Sequence, residues 1–199
     1  MARTRAADFE EKQRALLHEA AAVFAETGME KASMAQIARA AQVSKALLYH
    51  YYPSKDALIF AIIHTHLAEL DDAIAEADRP ELPPEDRLGH LVWVVLQKYE
   101  GADNEHKVQL NAMDALSDEQ KGAIQAIERR IVKRFAGVLR EINPGLDSPE
   151  RPLLMPVTMS LFGMMNWVYM WFRDGGRISR KDYAEVATTL ILAGIKAVR

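Results

Sequence analysis

Residues 33–55 read SMAQIARAAQVSKALLYHYYPSK. Ser33 with Gln36 three residues later is a capping box, which opens a helix running to about Ala41. Ser44 can cap a second, very short helix, and Pro53 prevents it from continuing past the tyrosines. Ala35, Ile37, Ala38 and Ala41, with Val43, can pack against Ala46, Leu47 and Leu48, and the alanines let the two helices approach closely. Two short helices joined by a tight turn, behind a longer one, form a helix-turn-helix pattern. A single α-helix fits the major groove of B-DNA, its N-terminal residues toward the bases and its neighbour crossing the backbone. That geometry explains the run Tyr49, His50, Tyr51 and Tyr52 between two lysines. Tyr52 is read as turning inward, with its ring buried and its hydroxyl wet.

Outward from this segment the whole chain reads helical. Ala, Leu, Glu, Lys, Arg and Gln dominate, and no stretch alternates apolar and polar for long. The spacing predicts a first helix from about Ala7 to Thr27, with Leu16, Leu17, Ala20, Val23 and Phe24 on one face and Gly28 as its stop. Ser54 caps a long helix carrying Leu58, Ile59, Ile62 and Leu70. The proline-rich stretch PELPPED follows, and a second part begins near Glu85. Ser117 with Gln120 opens a helix to about Ile142. Ser148-Pro149 is read as the cap and first turn of a helix ending at Gly175-Gly176, and Ser179 with Asp182 opens the last one. The expected fold is all-α with about nine helices. Residues 1–55 are expected to form a three-helix head (helix-turn-helix about 33–52), and residues 56–199 a separate helical body.

The 199 residues contain no cysteine, which excludes disulfides and thiolate chemistry. The first residues carry charge and lack an apolar signal region, so a cytoplasmic protein is expected. Formal net charge is -3. Residues 1–55 hold eight Lys and Arg against six Asp and Glu, and the remainder 17 against 22. A mildly basic front thus precedes an acidic body. Arg3 and Arg5 read as an unstructured lead-in rather than a minor-groove arm. His64 and His66 fall on different sides of a helix and chelate poorly. His18-Glu19 lacks the second histidine of a zinc-protease motif. No metal, cofactor or catalytic site is expected, and no enzyme.

Residues 14–63, RALLHEAAAVFAETGMEKASMAQIARAAQVSKALLYHYYPSKDALIFAII, resemble the N-terminal domain of the TetR family of transcriptional regulators. The elements carrying the resemblance are AAxxFAExG, then S-M-x-x-I-A-x-A-A, V-S-K-x-x-L-Y-x-Y-Y and S-K-D-A-L, without gaps. The resemblance implies a homodimer, a double-stranded pseudo-palindromic operator and a small-molecule effector. It also implies that Tyr49 and Lys55 contact phosphates. The residues expected at DNA are Ser33, Met34, Gln36, Ser44, Lys45, Ala46, Leu47, Tyr49, His50 and Lys55. The sequence departs from the family pattern at Gln42, where glycine is usual, and at Ala46-Leu47, where Gly-Thr is common. Leu47 cannot donate a hydrogen bond, so its contact would be apolar, such as a thymine methyl.

In the body, the segment VTMSLFGMMNWVYMWFRDGGRIS is apolar nearly all round. A membrane span needs roughly 18 or more uninterrupted apolar residues, and Pro152, Pro156, Asn166 and Arg173-Asp174 break this one. Met159, Phe162, Gly163, Trp167 and Met170 follow helical spacing. Leu190, Ile191, Gly194 and Ile195 form a second stripe, and the two together suggest an intersubunit four-helix bundle. The spacing F-G-x-x-N-W-x-x-x-W-[FY]-R-x-x-G-x-[IL]-S is similar to TetR-type regulators that respond to acyl-CoA thioesters of fatty-acid or aromatic-acid catabolism. The effector-site candidates are Trp93, Leu96, Gln97, Met113, Arg129, Phe135, Met165, Asn166 and Tyr169. The basic run Arg129, Arg130, Lys133 and Arg134 is either a seat for CoA phosphates or a solvated face. The function expected is a homodimeric repressor released from DNA by an apolar effector, an acyl- or aryl-CoA thioester. Alternatives are a regulator of efflux responding to hydrophobic drugs, and a helical protein-interaction module with no operator.

Overall fold

The computed structural model describes the backbone of residues 2–197 and the side chains of residues 11–197. The backbone is helical from Ala2, so Arg3 and Arg5 do not form the unstructured lead-in expected, and their side chains lie outside the described residues. The α-helices are α1 (Ala2–Thr27), α2 (Met34–Ala40), α3 (Lys45–Tyr51), α4 (Lys55–Ala77), α5 (Pro84–Lys98) and α6 (Asp103–Asn111). They continue with α7 (Asp118–Ile142), α8 (Leu154–Asn166), α9 (Val168–Trp171) and α10 (Arg180–Ala197). With α8 and α9 taken as one helix interrupted at Trp167, the described residues hold the nine expected. The chain divides into two compact units, Met1–Leu67 with Gly101–Ile124 and Ala68–Glu100 with Gln125–Arg199.

In the first unit, α2 packs on both α1 and α3. Leu16, Leu17, Ala20 and Phe24 of α1 are buried with Ile37, Leu48, Leu58 and Ile62. Gly28 ends α1 at φ +88°, its N–H donating to the Phe24 carbonyl at 2.9 Å. The capping box forms as the spacing predicts. The Ser33 N–H donates to Gln36 Oε1 at 2.9 Å, and the Gln36 N–H to Ser33 Oγ at 3.3 Å. α6 lies against α1, with His18 Nδ1 2.8 Å from Glu105 Oε1. His66 is half-buried and His106 buried, with their ring centroids 6.2 Å apart. Burial, reinforced by the neighbouring His106, pushes His66 down to about 4.

The turn between α2 and α3 closes as a left-handed stop. Gln42 takes φ +55°, and the Val43 N–H reaches the Ala38 carbonyl at 2.9 Å. A side chain there crowds the backbone, and glycine does not. Gln42→Gly is expected to stabilise the protein by about 0.5–1 kcal/mol, since relief of strain outweighs the added freedom of the unfolded chain. Thermal melting reads this as a rise in Tm of roughly 2 °C. A lowered Tm would show that the glutamine contributes more than its strain costs.

In the second unit, α5, α8 and α10 pack together. Their core includes Leu88, Leu91, Val95, Leu161, Ala187 and Ile191. Phe135 of α7 meets Phe162 edge to face at 5.1 Å. Ser179 caps α10 through Asp182, as its spacing predicts: the Ser179 N–H donates to Asp182 Oδ2 at 2.7 Å. The helix expected from Ser148-Pro149 does not start there. Asp147–Ser148 pairs antiparallel with Arg151–Pro152, and the Ser148 hydroxyl is engaged by Glu150. α8 begins at Leu154, which leaves Pro156 in its first turn, where a missing N–H costs nothing.

Candidate nucleic-acid interface

α3 is seven residues long, and only Leu48 on it is buried. Ser44 holds its N-terminus, accepting the Leu47 N–H at 3.1 Å. Tyr52 follows the helix and turns inward as expected. It is buried, and its hydroxyl accepts from Gln13 Nε2 at 3.0 Å. Pinned by Leu48 and Tyr52, the helix exposes Lys45, Ala46, Leu47, Tyr49, His50 and Tyr51. The Lys45 ammonium stands 5.7 Å from the centre of the Tyr49 ring, and His50 meets Tyr51 edge-on at 5.2 Å.

Ser33 and Gln36 are exposed at the start of α2, and Ser44 is exposed at the start of α3. Met34 does not belong with them. It is 7% exposed, because the first residue of α2 turns its side chain into the core. Lys55 is half-buried and already occupied: its Nζ donates to the carbonyls of Glu30 at 3.1 Å and Ala32 at 3.5 Å. The face therefore presents the Lys45 cation, hydroxyls, an imidazole and two phenol rings around one exposed leucine. Such a set suits phosphates and base edges of a duplex.

The profile for bacterial regulatory proteins of the tetR family matches residues 16–62. That for the tetracyclin repressor-like C-terminal domain matches residues 81–195. The chain belongs to the TetR family. It is a DNA-binding transcriptional regulator, from a family of regulators and not of enzymes. The regulator BetI of Rhizobium meliloti is 35% identical over 83 residues, which is 42% of this chain and 41% of that protein. A TetR-family regulator from Bordetella parapertussis superimposes with TM-score 0.82 at 32% identity, covering 92% of this chain and 95% of that one. AibR, solved in complex with isovaleryl coenzyme A and operator DNA, gives TM-score 0.75 at 26% identity, over 90% and 97% of the two chains.

Within this TetR-family chain the effector candidates do not form one cluster of a single kind. Leu96, Phe135 and Met165 are fully buried. Asn166 accepts the Tyr99 hydroxyl proton at 2.8 Å, and burial pushes that phenol well above its ordinary range. Tyr169 is half-buried against the Trp167 ring at 6.2 Å. Trp93 lines an open cleft between α5 and α10 with His90, Lys181 and Thr188. Gln97 and Arg129 are exposed, and Met113 belongs to a short 3-10 turn in the other compact unit. In the basic run, Arg130 Nε lies 2.8 Å from Asp71 Oδ2, and Arg134 Nη1 lies 3.2 Å from Asp78 Oδ2.

Of the residues expected at a subunit interface, Met159, Trp167, Met170 and Leu190 are exposed, all but Met159 by more than half. A Cβ added at Gly163 or Gly194 would meet nothing within 4 Å. Phe162, Ile191 and Ile195 are buried within the chain itself.

Sequence reading missed the charge network around Asp78 and the buried Arg180. Arg180 reaches Asp174 through two bonds of 2.7 and 2.8 Å and stands 5.1 Å from the centre of the Phe172 ring. Among the described residues, no helix is long and apolar enough to cross a membrane, and no three His, Asp or Glu side chains are grouped to hold a metal.

Proposed function

We propose that this regulator is a homodimeric repressor, released from a pseudo-palindromic operator by an acyl- or aryl-CoA thioester. The observation that carries the DNA part is α3: one buried anchor, a capped N-terminus, and every other side chain exposed. In this reading residues 1–55 are the head and residues 56–199 the body. Two copies of α3 enter successive major grooves about 34–36 Å apart. Lys45, Tyr49 and His50 meet phosphates and base edges, and the capped start of α2 at Ser33 faces a phosphate.

The dimer reading rests on the exposed apolar stripe of Met159, Trp167, Met170 and Leu190 and on the open faces of Gly163 and Gly194. Small residues there let a partner's helices approach closely. The thioester reading rests on two supports. AibR, similar to this chain over nearly its whole length, was solved with isovaleryl coenzyme A and operator DNA. The segment FGMMNWVYMWFRDGGRIS carries the spacing of acyl-CoA-responsive regulators. A body rich in methionine and aromatic side chains adapts to an acyl or aryl group. Thioester binding then favours a head spacing that no longer matches the two grooves. As a DNA-binding regulator the protein works in the cytoplasm.

A thermal-shift panel of short-chain, long-chain and aryl acyl-CoAs tests the effector. At least one thioester is expected to raise Tm and to release duplex DNA in a gel shift, with its free acid doing less. A flat panel removes the thioester. Failure to retard any duplex from the region of its own gene at moderate salt removes the repressor.

A further inference from the structure

In the second compact unit α5 and α10 pack in opposite directions. Arg180, which opens α10, donates to the Leu96 carbonyl near the end of α5, and Thr188 meets Gly89 in its first half. An open cleft of about 420 Å³ lies between the two helices, a size that suits a small molecule. Gly89, His90, Trp93, Lys181, Glu185 and Thr188 line it. Thr188 is 9% exposed, and its hydroxyl has no hydrogen-bond partner among the described residues. A buried helical threonine can donate to the carbonyl four residues back, as Thr158 does to Leu154 at 2.7 Å. Thr188 does not, and a hydroxyl kept from water without a partner is unfavourable. Beside it stands a glycine inside a helix, where alanine is the better residue. A Cβ at Gly89 would lie 3.5 Å from Thr188 Cγ2 and 3.9 Å from Oγ1, both ordinary contacts, so no neighbour forbids a side chain. The glycine leaves room for one more atom next to the hydroxyl.

We propose that this cleft binds a small zwitterion with an apolar side group, of the α-amino acid class. Lys181 and Glu185 are exposed and four residues apart, so they stand on one side of α10. With the lysine first, they are in the order that pairs less well along a helix. Asp182, next to Lys181, is held by the Ser179 N–H and hydroxyl at 2.7 Å. The ligand's carboxylate meets the Lys181 ammonium. Its ammonium meets Glu185 and enters the room beside Gly89, where the Thr188 hydroxyl, one turn further on, accepts from it. The apolar side group rests on the half-buried Trp93 indole. Thr188 and Leu190, two residues apart, point to nearly opposite sides of α10, so the cleft faces away from the exposed apolar stripe that includes Leu190. The site depends on neither the operator nor the thioester.

Titration calorimetry of the full-length protein with L-phenylalanine, 2-phenylethylamine and 3-phenylpropionate tests the site, and amide hydrogen exchange locates it. L-Phenylalanine is expected to saturate one site per protomer and to slow exchange over residues 88–93 and 184–189. 2-Phenylethylamine lacks the carboxylate and should bind about fivefold more weakly, as for loss of one exposed ion pair. 3-Phenylpropionate lacks the ammonium that reaches the buried hydroxyl and should bind at least about tenfold more weakly. Thr188→Val keeps the shape and removes the hydroxyl. It should weaken L-phenylalanine binding about tenfold while Tm holds or rises. Gly89→Ala fills the room beside the hydroxyl and should abolish at least about nine-tenths of the affinity while raising Tm. No saturable binding of L-phenylalanine, equal binding of the three probes, or wild-type affinity in either variant would overturn the site. So would a lower Tm in Thr188→Val, since the hydroxyl would then serve the fold. Neither DNA nor a thioester enters these measurements, so their outcome is separate from that of the proposed regulation.

Discussion

Asp78→Ala is expected to destabilise the protein by about 3 kcal/mol at neutral pH, at the lower end of the range for stripping one partner from a buried ion pair. Asp78 follows the end of α4, and its carboxylate receives three N–H groups. Arg87 of α5 gives two, at 2.6 and 3.0 Å, and Arg134 of α7 gives one at 3.2 Å. The side chains of Asp78 and Arg87 are only 9% and 12% exposed. Removing the carboxylate therefore leaves a guanidinium poorly placed to recruit water. The exposed Glu141, 3.2 Å from Arg87, remains as a partner, which is why the lower figure applies. Three otherwise separate segments lose their common tie.

The effect should depend on pH in a defined direction. Hydrogen bonds from Arg87, then from Arg134, hold the Asp78 carboxyl below its ordinary value of 3.8. A group depressed on folding contributes stability above its unfolded pKa and loses it as pH falls through its folded pKa. The difference between wild type and Asp78→Ala should thus be full at pH 7 and shrink below about pH 4. Urea denaturation at the two pH values, at fixed protomer concentration, measures it. A difference under about 1 kcal/mol at pH 7, or one that persists unchanged in acid, would sink this account.

How far the sequence could be read follows the range of the interactions. Ser33 with Gln36, Ser117 with Gln120 and Ser179 with Asp182 are all local pairs, and each forms as its spacing predicts. Ser148-Pro149 carried the same kind of signal and failed, because Glu150 competes for the hydroxyl and a hairpin uses the backbone. Asp78 has partners 9 and 56 residues away, and no local rule pairs them. On the DNA face, the exposed set on α3 was legible because the helix is short and one leucine anchors it. Met34 was misplaced because a capping box says where a helix begins but not which way its first side chain turns. The effector residues were least legible. A pocket is a concavity made by several elements, and spacing along one helix shows only that a side chain is apolar.

The largest contrast expected lies between neighbouring leucines. Leu48 is fully buried, and Leu47 is 40% exposed. Leu48→Ala removes the one buried side chain of α3 and should cost about 2–5 kcal/mol, as for other buried leucines. With its anchor gone, a seven-residue helix is far too short to persist alone. Binding should fall at least tenfold for every duplex, whatever its sequence, because positioning is lost along with base contact. Leu47→Ala should leave stability within about 0.5 kcal/mol, the usual range for exposed positions. Its effect should be on selection. If Leu47 meets a thymine methyl, replacing that thymine by deoxyuridine should weaken wild-type binding by about 1 kcal/mol and leave Leu47→Ala indifferent. Urea melts and binding titrations of both variants on thymine- and uracil-bearing duplexes separate the two roles. Equal sensitivity of wild type and Leu47→Ala to the missing methyl would take Leu47 off the bases. A Leu48→Ala protein that kept both its stability and its DNA affinity would mean that α3 is held by something other than its one buried side chain.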